Sequence, residues 1–208
     1  MTSDGSRLKL SELKIGDSVL SVNSASGELE FSPVILFLDR NPNESRQFLT
    51  IQTESGHSLT LTPTHLIYTS SGDNHQGAID NLEAIYAKDV EEGDFVLVHD
   101  SLGTIKAVRV THIKAQVHSG VFAPLTAAGN LVVDNVVASC YAVVDSQTLA
   151  HTAFAPLRWW SYVPWPMASS VDASVASNEI IDSGIHWYAK ALYSLAEIAL
   201  PSHLTEEP

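Results

Sequence analysis

The residues that could do acid–base chemistry begin with Thr62 and His65, which follow a short apolar run and are separated by Pro63 and Thr64. A hydroxyl three positions before an imidazole, on one bent loop, can share a site with it. A histidine that titrates near neutrality can protonate a leaving amine, and the hydroxyl can orient a carbonyl or the imidazole. The same four residues also suit an ordinary surface loop, so the spacing alone leaves both interpretations open.

Two further side chains, Asp39 and Cys140, have chemistry of their own. Asp39 closes the apolar run 34–38 and could be a general base, or simply the first residue of a turn over residues 39–43. Cys140 is the one cysteine of the sequence and could be a reactive thiol or a small buried apolar residue. A single cysteine excludes an internal disulfide framework and a zinc site built from several cysteines. The other histidines lack metal-ligand spacing such as HExxH, so no metal is assigned.

The charge of the chain argues against a nucleic-acid partner. Eleven Lys and Arg oppose 24 Asp and Glu, which gives a formal net charge of −13 at pH 7, and the acidity extends over the whole sequence. Hydrophobic residues make up 45% of the 208 and charged residues 17%, as is typical of a globular protein with a sizeable core. No apolar stretch approaches the ~20 residues that span a bilayer.

Short strands are expected to position these side chains. The first two thirds of the chain contain runs rich in Val, Ile, Leu, Thr and Phe, separated by turn formers, which predicts an all-β sandwich or barrel-like fold. The predicted strands cover residues 18–22, 31–38, 48–53, 58–61, 95–98, 107–113 and 130–138, with a turn at 39–43 after the second of them.

An internal repeat relates these strands. Residues 12–20 match residues 89–97 at an offset of 77, and residues 56–65 match residues 129–138 at an offset of 73. In the first match, each copy is one short turn that a glycine ends before a strand begins. The repeat predicts two related halves, with corresponding loops placed around a pseudo-twofold axis.

The character of the chain changes after residue 145. The stretch 154–167 contains three tryptophans, Trp159, Trp160 and Trp165, together with prolines that prevent a long regular element. Further on, Asn178 could cap an amphipathic helix over residues 179–200, which Pro201 would end. The apolar stripe of this helix would pack on the β domain or on a partner chain, or else contact lipid.

Five sequence blocks, taken together and in this order, resemble the C-terminal autoprocessing region of Hedgehog proteins, a Hint domain that shares its fold with inteins. The blocks are LKIGDSVL (13–20), VILFLDRN (34–41), LTLTPTHL (59–66), GVFAPLT (120–126) and VVASCYA (136–142). The resemblance implies an all-β, Hint-type pseudo-twofold horseshoe of short strands over residues 1–145. It also implies a sterol-recognition-like tail over residues 146–208, formed by the aromatic-rich segment and the C-terminal helix.

The resemblance further implies a two-step self-cleavage. A cysteine at the first position of the domain attacks the preceding carbonyl to give an internal thioester. The 3β-hydroxyl of cholesterol then attacks the thioester and releases the upstream signalling domain as a sterol ester. His65 would protonate the departing amine, Thr62 would orient the imidazole or the carbonyl, and Asp39 would deprotonate the sterol hydroxyl. Cys140 would assist the thioester chemistry or a redox gate. No cofactor is implied, because the sterol is a substrate.

The family's first cysteine is not part of this sequence, since Cys140 occupies another position. The chain as written is therefore expected to be inactive in self-cleavage, and a truncation that removes the first strand is the preferred explanation.

By the same resemblance, the expected partners are cholesterol, the signalling domain in cis and a membrane contacted through the tail, with Trp159, Trp160 and Trp165 as candidate sterol contacts. The expected location is the secretory pathway and the cell exterior, although the polar N-terminus contains no signal peptide. Two alternatives stay open: a non-catalytic module that binds sterol or membrane, and an intein-like Hint domain with a different nucleophile.

Overall fold

The computed structural model describes residues 1–70 and 82–142, together with Ala155 and the short segment Gly184–Ile185. Within these residues the protein is a curled antiparallel β-sheet, so the predicted all-β class is confirmed. None of the described residues belongs to a helix long and apolar enough to cross a membrane.

The described residues contain ten strands and one 3₁₀ turn. They are β1 (Ser18–Val22), β2 (Leu29–Thr53), β3 (Ser58–Leu61), β4 (His65–Ser70), β5 (Leu82–Tyr86), the 3₁₀ turn (Ala87–Asp89), β6 (Phe95–His99), β7 (Ile105–Thr126), β8 (Asn130–Val133), β9 (Val136–Ala142) and β10 (Gly184–Ile185). The hydrogen-bonded order is β1-β2-β7-β6-β4-β9-β8, while β3 and β10 also pair with β2, and β5 pairs with β4.

Most predicted strands coincide with observed ones. The predictions at 18–22 and 58–61 match β1 and β3 residue for residue. The prediction at 130–138 divides into β8 and β9, because Asp134 and Asn135 form a tight turn between them with φ of 49° and 68°. β4 and β5 lie outside the predicted set.

The turn predicted over residues 39–43 is wrong, because β2 continues through it as one strand of 25 residues. β2 pairs with β7 along most of its length, and the register between them shifts between Asn41 and Ser45. Pro42 lies in this irregular stretch, where its missing N–H interrupts no regular ladder. The turn-forming residues therefore bend the long strand instead of reversing it, and Asp39 belongs to the sheet.

The internal repeat is present in the backbone hydrogen bonds. The Gly16 N–H donates to the Val34 carbonyl at 2.8 Å, and the Gly93 N–H donates to the Val110 carbonyl at 2.9 Å. Both glycines have a positive φ, 94° and 105°, which only glycine adopts without strain. The same turn therefore leads into β1 in the first half and into β6 in the second.

A second hydrogen bond repeats at the ends of the two long strands. The hydroxyls of Thr53 and Thr126 each donate to the carbonyl four residues further along the chain, at 3.1 Å and 2.7 Å. Across the β2–β7 pair, Val34 lies opposite Thr126 and Thr53 lies opposite Val110. The repeat relates Val34 to Val110 and Thr53 to Thr126, so it converts each of these two pairings into the other. The two halves are therefore related by a pseudo-twofold axis, with β2 and β7 at the centre.

The two halves also have corresponding apolar cores. Leu13, Val19 and Val34 are buried in the first core, and their equivalents Val90, Val96 and Val110 are buried in the second. Each such side chain contributes about 1.5–3 kcal/mol when it is removed from water. The first core also contains Leu38, Leu131 and Cys140, which line the cavity described below. Core packing thus fixes one wall of that cavity.

Part of the predicted tail can be compared with the structure. Gly184–Ile185 lies within residues 179–200, where a helix is predicted, but these two residues form β10, antiparallel to Arg40 and Asp39 of β2. The helix prediction is wrong at these two positions, since glycine is a weak helix former and the edge of β2 offers unpaired backbone groups. The rest of the predicted helix lies outside the described residues. The same holds for its predicted cap Asn178, for Pro201 and for nearly all of the aromatic segment.

Candidate functional site

A cavity lies between the strands, and its volume of about 620 Å³ is within the range of roughly 300–1,000 Å³ that ligand sites occupy. Residues of β2, β3, β7, β8 and β9 and of the turn after β3 line it. All four side chains predicted to do chemistry contribute to this lining: Asp39, Thr62, His65 and Cys140. The fold therefore brings together residues that are up to about a hundred positions apart in the sequence.

The spacing of Thr62 and His65 is the spacing of a β-turn. The His65 N–H donates to the Thr62 carbonyl at 3.0 Å, and Pro63 occupies the second position of the turn, where its fixed φ is favourable. The Pro63 carbonyl accepts a hydrogen bond of 3.0 Å from the Lys88 N–H, which ties the turn to the 3₁₀ turn after β5. The turn thus holds a hydroxyl and an imidazole at the same cavity.

The His65 ring has a defined hydrogen-bond partner. Its Nε2 lies 2.9 Å from the Ser139 carbonyl, and a carbonyl only accepts, so Nε2 carries the proton and donates. Nδ1 is then the ring nitrogen that can exchange a proton with a substrate. Burial lowers the pKa of His65, and the Ser139 carbonyl opposes this with a smaller effect. The protonated ring is consequently a stronger acid than a solvated imidazolium.

Asp39 is a buried carboxyl group on β2, with 7% of the residue exposed. Arg46 Nη2 lies 3.0 Å from Asp39 Oδ2, whereas Oδ1 has no hydrogen-bond partner among the described residues. Burial raises the pKa of Asp39, Arg46 opposes this rise, and the negative charge of Glu44 adds to it. A carboxylate with a raised pKa and one oxygen without a partner is suited to accept a proton.

Cys140 lies in β9 and is 2% exposed. Its Sγ is 3.6 Å from the Thr126 hydroxyl, and its N–H donates to the Gly129 carbonyl at 3.0 Å. It belongs to the first apolar core and also lines the cavity, so it combines features of both interpretations made from the sequence. Its neighbour Ser139 supplies the carbonyl that holds His65, so this short stretch of β9 contacts the site twice.

Arg46 and Ser139 belong to the site, and the sequence did not predict them. Asp39 and Arg46 are seven positions apart, and a regular strand would point two such side chains to opposite faces. The pairing of β2 with β7 is irregular between Asn41 and Ser45, and Asp39 and Arg46 meet across this stretch. Pro42 is the one hint of this irregularity in the sequence. Ser139 acts through its backbone carbonyl, which carries no side-chain signature.

Two other expectations concern ligands. Trp159, Trp160 and Trp165, the candidate sterol contacts, lie outside the described residues. Within residues 1–70 and 82–142, no group of three or more His, Cys, Asp and Glu side chains is arranged to hold a metal ion.

The sequence pattern of the Hint module matches residues 1–201. The chain is 40% identical over 205 residues to the Protein hedgehog of Drosophila virilis, a match that covers 95% of this chain and 41% of that protein. It is 39% identical over 202 residues to the Sonic hedgehog protein of Danio rerio, covering 97% of this chain and 48% of that protein. The chain therefore spans less than half the length of these two curated relatives.

Solved structures with a similar fold are inteins. The PabCDC21-1 intein superposes with a TM-score of 0.53 at 13% identity, over 67% of this chain and 92% of the intein. A DnaB intein from Synechocystis sp. PCC 6803 superposes with a TM-score of 0.52 at 14% identity, over 66% of this chain and 89% of the intein. At such low identity, the likeness establishes a shared fold and nothing further.

Proposed function

The chain belongs to the Hint module family, and from this membership and its similarity to hedgehog proteins we propose that it is the autoprocessing region of a hedgehog-type precursor. In this proposal the region cuts itself from an upstream signalling domain and joins that domain to cholesterol in the secretory pathway. The observation that carries it is the common cavity of Asp39, Thr62, His65 and Cys140. The remaining roles follow from the chemistry of these four groups.

The first step is an N-to-S acyl shift. A cysteine thiol at the junction with the signalling domain attacks the preceding carbonyl carbon, the C–N bond breaks, and a thioester forms. Nδ1 of neutral His65 takes up the thiol proton and passes it to the departing amine, and the lowered pKa of His65 makes the protonated ring a strong donor. Thr62, at the other end of the turn, orients the imidazole or the carbonyl. Cys140 lies close enough to the cavity to assist exchange at the thioester sulfur.

The second step transfers the acyl group to the sterol. The 3β-hydroxyl attacks the thioester carbon, its proton passes to the Asp39 carboxylate, and the C–S bond breaks to release the cysteine thiolate. An alcohol is a weak nucleophile at neutral pH, so the step needs a base. Residues 1–145 form the catalytic region in this proposal, and residues 146–208 bind the sterol, with Trp159, Trp160 and Trp165 as its contacts.

The test uses a reporter domain joined through a Gly-Cys-Phe junction to residues 1–208. Incubation with dithiothreitol should cleave the reporter by attack on the thioester. Incubation with cholesterol and detergent should release a reporter whose mass has increased by one esterified sterol. The control has alanine in place of the junction cysteine and should do neither.

Three results would contradict the proposal, and each has a different implication for the function. Cleavage by thiol without sterol transfer would favour a Hint domain with a different second step. Sterol binding without any cleavage would favour a non-catalytic binding module. A folded fusion that neither cleaves nor binds sterol would remove both functions.

A further inference from the structure

Three charged side chains of β2 form a chain of ion pairs beside the cavity. Arg46 Nη2 lies 3.0 Å from Asp39 Oδ2, and Arg46 Nε is paired with Glu44 Oε1. The other oxygen of Glu44 accepts a hydrogen bond of 2.9 Å from Asn41 Nδ2. Asp39 and Arg46 line the cavity, whereas Glu44 is not one of its lining residues.

This arrangement restricts how Asp39 can sit. Arg46 contacts the two carboxylates with two different N–H groups of its planar fork, and rotation of the guanidinium would break one of the two pairs. Asp39 is therefore held through Oδ2. Its Oδ1 is buried and has no hydrogen-bond partner among the described residues. Leaving a buried carboxylate oxygen without a partner is unfavourable, so an oxygen in this state marks a place where a donor binds.

We propose that Arg46, anchored by Glu44, is a positioning residue for Asp39. Arg46 holds Oδ2 of Asp39, and this leaves Oδ1 as the atom that takes the proton from the sterol hydroxyl. This inference rests on the proposed function. It adds to it the identity of the accepting oxygen and two residues, Arg46 and Glu44, that determine its orientation. Neither residue touches the reacting atoms.

Three other groups near Asp39 can carry a charge. The Arg40 guanidinium contacts backbone carbonyls, and His118 and His65 line the cavity. The Arg40 guanidinium donates to the Ser11 and Leu13 carbonyls, at 3.0 Å and 3.1 Å, and lies over the Phe37 ring. On β7, Ala123 is paired with Asp39, and His118, paired with Arg46, lines the cavity. On β10, Ile185 is paired with Asp39. His65 lines the same cavity from the start of β4.

These surroundings leave Arg46 and Glu44 as the charges that act most directly on Asp39. Burial and the charge of Glu44 raise the pKa of Asp39, and Arg46 limits that rise, with a smaller contribution from the backbone N–H of Arg40. Loss of Arg46 should therefore raise the pKa of Asp39 further, and loss of the Glu44 charge should lower it.

The first measurement is the titration of Asp39 in the full chain, residues 1–208, followed by NMR of carboxyl-labelled aspartate. Arg46→Gln should move the Asp39 titration to higher pH, and Arg46→Lys, which keeps the charge, should return it towards the wild-type position. Lys114→Gln removes an equal charge from an exposed position of β7 and should leave it unchanged. This readout needs no sterol reaction, so it is independent of the proposed function.

The second measurement is cleavage of the reporter fusion. Arg46→Gln should slow sterol-dependent cleavage at pH 7 about tenfold or more and move the acid limb of its pH profile upwards, with thiol-induced cleavage unchanged. Arg46→Lys should restore the pH profile but only part of the rate, because an ammonium cannot reproduce the two-point contact. Glu44→Gln should lower the Asp39 pKa and still slow the sterol step, because Arg46 loses its anchor.

The outcomes separate the two ideas. If wild-type fusion fails to transfer sterol while the Asp39 titration responds to Arg46 as stated, the proposed function fails and the ion-pair chain stands as an electrostatic unit. If wild-type fusion is active but Arg46→Gln leaves the Asp39 titration and the sterol step unchanged, the positioning role is wrong. A fall in thiol-induced cleavage in parallel with the sterol step would also overturn it. Should Arg46→Gln fail to fold, Glu44→Gln decides the question with the same two readouts.

Discussion

At the scale of single residues, burial in one cavity shifts two titratable groups in opposite directions. The pKa of Asp39 is raised, and the pKa of His65 is lowered, with removal from water as the largest cause in both cases. A raised pKa makes a carboxylate a stronger base, and a lowered pKa makes an imidazolium a stronger acid. Removal from water therefore favours both proton transfers of the proposed reaction.

The lowered pKa of His65 has a consequence for stability. Below its ordinary pKa of 6.5, His65 takes up a proton in the unfolded chain but stays neutral in the folded one. The free energy of unfolding should therefore fall as the pH drops from 6.5 towards the folded pKa, by at most about 1.4 kcal/mol per pH unit for one proton.

Urea unfolding at pH 7 and pH 5.5 measures this effect, with His65→Gln as the variant and His112→Gln, at an exposed position, as the control. The His65→Gln chain should lose less stability between the two pH values than the wild-type chain. An equal loss in both chains would contradict a His65 imidazole that stays neutral in the folded protein.

Residue types and spacing predicted a part of the site. The turn containing Pro63 explains why Thr62 and His65 line the same cavity, and this was accessible from the sequence. The roles expected of Asp39 and Cys140 depended on resemblance, since each residue alone suited an ordinary structural position. Arg46 was not accessible, because its contact with Asp39 depends on an irregularity of β2 that no residue pattern specifies.

At the scale of elements, the bent β2–β7 pair brings the site together. Gly120 lies on β7 opposite the irregular stretch between Asn41 and Ser45. Its φ is +95°, and a Cβ at this position would lie 3.0 Å from Phe122 Cε2 and 3.6 Å from the Pro42 carbonyl oxygen. Gly120 thus permits the left-handed conformation of the backbone, and its missing Cβ leaves room for the Phe122 ring.

Gly120→Ala should therefore destabilise the fold by more than the conformational cost alone. Gly56→Ala is a matched control, since Gly56 has φ +82° and open space around its missing Cβ. We expect a loss of about 1–2 kcal/mol for the control, from the left-handed conformation, and a larger loss for Gly120→Ala. Chemical denaturation measures both, and equal losses would show that crowding of the Phe122 ring contributes nothing.

Elements were predicted well where the sequence is regular. β-branched runs located β1 and β3 at their observed bounds. The prediction failed at residues 39–43 because turn-forming residues also occur in strand bulges, and local composition does not separate the two. It failed at Gly184–Ile185 because pairing with β2 is a long-range contact, which the period of apolar residues cannot reveal.

At the scale of the whole molecule, a duplicated sequence forms two halves that share their central strands. The offsets found in the sequence reappear as equivalent hydrogen bonds of Gly16 and Gly93, and of Thr53 and Thr126. The catalytic candidates do not follow this symmetry, since Ala138 occupies the position equivalent to His65. The backbone fold thus repeats, whereas the residues proposed for the chemistry lie on β2, on β9 and on the turn from β3 to β4.

The β10 pairing connects the tail to this arrangement. Gly184–Ile185 adds to β2 at Arg40 and Asp39, so one short piece of the region after residue 145 meets the strand that carries the proposed base. This supports the proposal that residues 146–208 present the sterol to the cavity. The sequence offered no means to predict this contact, because it depends on unpaired backbone groups and not on side-chain type.

The most direct test of the account compares thiol-induced and sterol-dependent cleavage of the reporter fusion after Asp39→Ala. The proposed division of labour assigns Asp39 to the second step alone. Thiol-induced cleavage should therefore continue at the wild-type rate, and sterol-dependent cleavage should fall by about 10²–10⁴-fold, the usual contribution of a general base. Sterol transfer that persists at the wild-type rate, or loss of both reactions in a folded variant, would contradict the account.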